Sequence, residues 1–148
     1  MKALYASHNQ ILYQAEIFTL DHIAELSRGG SRIETLTSTE HAVVFWFNTH
    51  DHCRQIQARA NRRATALLLA TTNFTARNVP LLRGDVVLTG RDADGNPADL
   101  TDTQIDRLIH AETPWLDDLY LSRRLNHDRR CQLRQARRVR ALQSTTPF

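Results

Sequence analysis

Residues 42–47 read Ala-Val-Val-Phe-Trp-Phe, the most apolar run in the chain. Five β-branched or aromatic side chains in succession leave no polar face, so the run suits a strand covered on both sides. Polar stretches at 38–41 and 48–51 bound it. The spacing therefore predicts a strand in the middle of a sheet, and the rest of the chain must supply cover for each of its faces.

The flanking sequence offers that cover. Residues 2–7 and 11–18 surround the polar triplet His8-Asn9-Gln10, the pattern of a β-hairpin. Thr19 or Asp21 caps a short helix running to Ser27, with Ile23, Ala24 and Leu26 inward and Gly29-Gly30 ending it; residues 33–36 then make a short strand. Residues 58–72 predict a helix with Ala60, Ala64, Leu67, Leu68 and Thr71 on one face. Arg59, Arg62 and Arg63 occupy its first turns, where the helix dipole disfavours cations by a few tenths of a kcal/mol. A solvated face is their expected setting, with a carboxylate or anion partner as the alternative, and Asn61 is expected to bond to a neighbouring loop.

Residues 84–90 form a second apolar run bracketed by glycines, which permit tight bends. Asp92-Ala93-Asp94-Gly95-Asn96 opens like a calcium loop. That motif needs a bidentate Glu at position 12, where this chain has Thr103, so an Asp-Gly turn is the reading. Thr101 and Gln104 form a capping box for a helix that buries Ile105, Leu108 and Ile109.

Taken in order, Ala60-Asn61-Arg62-Arg63-Ala64, the stretch from Leu82 to Gly90, Asp94-Gly95 and Leu100-Thr101-Asp102 resemble an uncharacterised domain family. That family, a domain of unknown function, is found in bacteriophages, conjugative elements and their bacterial hosts. The resemblance covers about residues 1–110 and takes in the opening hairpin and the Arg32-Ile33-Glu34 strand. It implies an accessory protein of mobile elements and carries over no catalytic residue. The His50-Asp51-His52 loop and the Arg-rich tail depart from the family's pattern.

Charge separates the tail from the rest. Residues 1–110 carry 11 basic and 12 acidic side chains, whereas residues 111–148 carry 8 and 4. Lys2 is the sole lysine, an arginine bias that reflects coding composition more than a demand for guanidinium at every site. Thr113-Pro114 starts a helix whose Trp115, Leu116 and Leu119 are expected to dock on the domain; Asn126-His127-Asp128 is expected to break or bend it. Beyond that point Arg130, Arg134, Arg137 and Arg138 fall at i, i+4, i+7 and i+8, one cationic face beside a thin apolar stripe of Leu133, Ala136 and Val139.

With 148 residues, 41% of them hydrophobic, the chain supports one domain with an appendage: an α+β domain over 1–112 and an Arg-rich helical tail over 113–148. The expected fold is a small mixed sheet of about five strands with helices packed on it. No apolar run approaches the ~20 residues of a membrane span and no signal-peptide core follows Met1, so a cytoplasmic protein with no membrane partner is expected. Cys53 and Cys131 read as free thiols. The His50-Asp51-His52-Cys53 cluster lacks the further Asp-His and distant ligands of a hydrolase metal loop, so no metal, cofactor or catalytic residue is assigned.

Two function classes stay open, neither of them enzymatic. One is a phage or mobile-element accessory protein whose Arg130, Arg134, Arg137 and Arg138 face contacts nucleic acid. The other is an inhibitor or interaction module that sets the same helix on an acidic host protein, or on a second copy in a homo-oligomer.

Overall fold

The computed structural model describes residues 1–26, 33–38, 42–48 and 59–144. Strands β1 (Lys2–Ala6) and β2 (Leu12–Glu16) form the first hairpin, and α1 (Leu20–Leu26) follows. Strands β3 (Ile33–Thr37) and β4 (Val44–Asn48) form the second hairpin, followed by α2 (Arg62–Thr71). The chain then runs through β5 (Val86–Arg91), β6 (Pro97–Ala98), α3 (Asp102–Ile109) and α4 (Trp115–Ser144). The sheet order is β2-β1-β5-β4-β3, with the short β6 on β5. The expected α+β sheet with packed helices forms, and each pairing between named strands is antiparallel.

One expectation shifts by a strand. β5, not β4, is the middle of the sheet, and β4 lies inside it between β5 and β3. The reason is visible in burial: Val86, Val87, Leu88 and Thr89 of β5 are all fully buried, whereas Trp46 and Phe47 of β4 keep partial exposure. Ala42 falls outside the strand at φ 51, and β4 begins at Val44.

Alternation along the strands divides the core in two. Leu4, Phe45 and Leu88 are register partners across three strands, and with Ala6 and Val86 they pack beneath α2, α3 and α4. On the opposite face Ala3 and Val87 pack with Ile17 and with Ile23 of α1, edged by Tyr5, Leu26 and Trp46. Each large apolar side chain so buried contributes about 1.5–3 kcal/mol.

The start of α2 is fixed by Asn61. Helix was expected from residue 58, yet the Arg59 carbonyl accepts from Gly84 N at 2.9 Å and Ala60 bridges Arg83, so residues 59 and 60 lie outside the helix. Asn61, fully buried, caps the helix by accepting from Ala64 N at 3.0 Å. Its amide donates to the carbonyls of Gly84 (2.7 Å), Ala6 (3.0 Å) and Ser7 (3.3 Å). One side chain thus joins β1, the turn before β5 and the helix. Gly84 makes that turn at φ +67, where a side chain would be strained. Gly90 serves close approach instead of a bend: a Cβ there would collide with the Asp99 carbonyl oxygen.

The remaining local signals can be followed individually. Thr101 and Gln104 form the capping box on α3, and Asp92 accepts from Asp94 N and Asn96 N in the turn. Ile105 and Leu108 are buried, but Ile109 is 45% exposed, so the α3 face is narrower than expected.

Candidate functional site

Helix α4 begins with Asp117 and Asp118 in its first turn, where carboxylates meet the positive end of the helix dipole. It runs unbroken for 30 residues, about 45 Å at 1.5 Å per residue. The expected break at Asn126-His127-Asp128 does not occur. Asp128 is drawn inward by an ion pair, and helix geometry continues through it.

The proximal half, to Asp128, is docked. Leu121 is its buried anchor, 1% exposed within the main core, whereas Trp115, Leu116 and Leu119, the expected anchors, are exposed. Spacing explains the exchange, since the domain-facing side of the helix runs through Asp118, Leu121, Leu125 and Asp128 at i, i+3, i+7 and i+10. Around Leu121 the interactions are polar. Arg62 Nη2 pairs with Asp118 and donates to Ser122 Oγ at 2.8 Å. Arg83 holds Asp128 with two bonds, 2.9 and 2.6 Å, and this hydrogen bonding raises the Arg83 pKa against the opposing effect of burial. Arg77 donates to Tyr120 Oη at 2.8 Å, and Arg124 donates to the Ala76 carbonyl at 3.0 Å.

These partners revise the reading of the first turn of α2. Arg62 has a carboxylate, the alternative to a solvated face, and Arg63 donates to the Ile109 carbonyl at 3.1 Å. The sequence held both halves of the Arg62–Asp118 pair, but 56 residues apart, with nothing local to join them.

The distal half, residues 129–144, is different in kind. It holds six arginines and no acidic residue. Arg130, Arg134, Arg137 and Arg138 are all exposed and form no ion pair among the described residues. On a wheel of ~100° per residue the four lie within a sector of about 100°, roughly opposite the docked side of the helix. The structure therefore brings the four predicted residues onto one face that points away from the domain. Leu133, Val139 and Leu142 of this half are exposed as well, at 52%, 47% and 71%.

Residues 1–112 match the family described as Domain of unknown function (DUF3846). The chain belongs to this family. No curated protein and no solved structure matches it. The DUF3846 match takes in the sheet, α1, α2, α3 and the Asn61 junction, while α4 lies outside the matched residues.

Within the DUF3846 domain sequence reasoning missed one buried acidic side chain. Asp85 is fully buried, accepts from His8 N at 2.7 Å and lies 2.8 Å from His8 Nδ1, fixing the loop of the first hairpin beside β5. Its only sequence signal is an acid placed directly before an apolar strand. Among the described residues no group of three or more His, Cys, Asp or Glu side chains is placed to hold a metal ion. His50, His52 and Cys53 lie outside the described residues, and Cys131 is exposed with a free thiol. No helix among the described residues is long and apolar enough to cross a membrane.

Proposed function

We propose that this DUF3846 protein acts by binding, and that the distal half of α4 contacts nucleic acid through Arg130, Arg134, Arg137 and Arg138. The carrying observation is the contrast in partners: Arg62 and Arg83, beside the docked half, pair with the carboxylates of Asp118 and Asp128, whereas the distal sixteen residues contain no carboxylate. Four guanidinium groups on one exposed face, aimed away from the domain, suit a row of phosphates. Phosphate contacts position a protein without reading bases, so the expected activity is sequence-tolerant. The resemblance to proteins of bacteriophages and conjugative elements supplies the setting in which an accessory binder of this kind acts.

An electrophoretic shift at two salt concentrations tests this with the full chain and a variant carrying Gln at the four positions. The parent should shift at low salt and lose most of its shift at the higher salt, and the variant should shift little at either. A truncation at Glu112 is a poor control, because it removes Leu121 from the core and leaves Arg62 and Arg83 without their acids.

A second reading draws on the exposed Leu133, Val139 and Leu142. In it the same helix is a protein-binding element, set on an acidic host protein or on a second copy. Substitution of Leu133 and Val139 by Ser would then matter as much as loss of the arginines, with the damage seen in sedimentation and not in the shift assay.

A further inference from the structure

Taking the proposed nucleic-acid contact as its premise, we infer that the phosphate-binding face does not stop at the distal half of α4. It runs back past Asp128 through Arg123 and ends on the DUF3846 domain at Arg77, which Tyr120 holds in place. Helical phase carries the first step. At ~100° per residue Arg123 falls inside the sector occupied by Arg130, Arg134, Arg137 and Arg138. It is exposed and forms no ion pair among the described residues. Its neighbour Arg124 falls outside that sector and donates to the Ala76 carbonyl at 3.0 Å. Arg129 and Arg140 fall outside it as well. The strip from Arg123 to Arg138 spans about 22 Å along the axis, against about 12 Å from Arg130 to Arg138.

The domain carries the second step. Before Arg123 the same sector holds Leu116 and Leu119, both exposed, so the helix itself adds no cation there. Arg77 supplies one from outside the helix. Its guanidinium carbon lies 4.6 Å from the centroid of the Tyr120 ring, and its Nη2 donates to Tyr120 Oη at 2.8 Å. Tyr120 stands one helical turn before Arg123 at the edge of the sector, which sets the guanidinium stacked on it at the proximal end of the strip. Stacking on a ring holds the guanidinium without neutralising it, and one bond to a phenol oxygen leaves its other N–H groups for phosphate. Arg77 is exposed and forms no ion pair among the described residues, whereas Arg62 and Arg83 are paired with Asp118 and Asp128. A polyanion along the strip therefore meets the domain as well as the helix.

Fluorescence anisotropy with the full chain and a labelled DNA duplex of about 20 base pairs, over a range of salt, tests this, with thermal unfolding followed on the same samples. The parent slope of log K against log salt should pass the −3.6 or so of four phosphates and approach about −5.4 for six, at −0.9 each. Arg77→Gln and Arg123→Gln should each reduce it by up to about 0.9. Arg124→Gln should leave it unchanged. Tyr120→Phe, which keeps the ring, should bind as the parent does, and Tyr120→Ala should bind like Arg77→Gln. Parent slopes in Arg77→Gln and Arg123→Gln beside an impaired four-Gln variant, or an equal loss in Arg124→Gln, overturn this inference and leave the binding function standing. Absence of binding by the parent at low salt overturns both.

Discussion

The two halves of α4 share one continuous helical backbone, yet they are used in opposite ways. Up to Asp128 the helix presents acids to arginines of the domain, around one buried leucine. Beyond it the helix presents arginines, and no acid of its own segment answers them. The contrast shows that an arginine count is a poor guide to function: Arg62, Arg83 and Arg124 are held by the fold, whereas Arg130, Arg134, Arg137 and Arg138 form no ion pair among the described residues.

The comparison is broken most severely at the socket for the docked half. Asn61→Ala removes a helix cap and the donor to three carbonyls and should cost about 3–4 kcal/mol in denaturant unfolding. Asn61→Asp keeps the cap acceptor but sets a carboxylate against those carbonyl oxygens, so it should be no better than Ala. Recovery of parent stability by Asp would show that capping alone explains the residue.

Leu121→Ala should cost about 2–3 kcal/mol for the missing side chain and the cavity it leaves. Leu133→Ala, in the distal half, should change stability by less than about 0.5 kcal/mol. Equal effects would mean that the distal half is also packed.

Sequence reasoning reached β1 to β5, the capping box on α3 and the Asp-Gly turn because each is written in adjacent residues, but not the two-residue β6. It also placed the four distal arginines on one face, since helical spacing alone decides that. It missed what depends on partners distant in sequence. The centre of the sheet passed from β4 to β5 because burial is set by β1 pairing with β5, a pairing invisible in either strand alone. Asp128 looked like a helix breaker because its low helix propensity is local, whereas its bond to Arg83 spans 45 residues. Trp115 looked like an anchor because it is large and apolar, but helical phase makes Leu121 the residue that faces the core.

A smaller effect comes from the Arg83–Asp128 pair. A double-mutant cycle with Arg83→Met and Asp128→Asn should give a coupling of about 1 kcal/mol, above that of an ordinary exposed pair because two bonds are formed and Asp128 is mostly buried. High salt should reduce it only in part. A coupling near zero would remove the ionic latch from the docked half.

The central claim is that the distal arginines face an external polyanion and contribute nothing to holding the fold. Its most direct test is the slope of log K against log salt for a duplex, measured on the full chain and on the variant with Arg130, Arg134, Arg137 and Arg138 replaced by Gln, with thermal unfolding followed on the same samples. The slope should shrink by up to about 0.9 for each phosphate no longer neutralised, while unfolding shifts by no more than exposed charges allow, less than about 1 kcal/mol each. An unchanged slope and affinity in the variant, or a large drop in its stability, would contradict the claim.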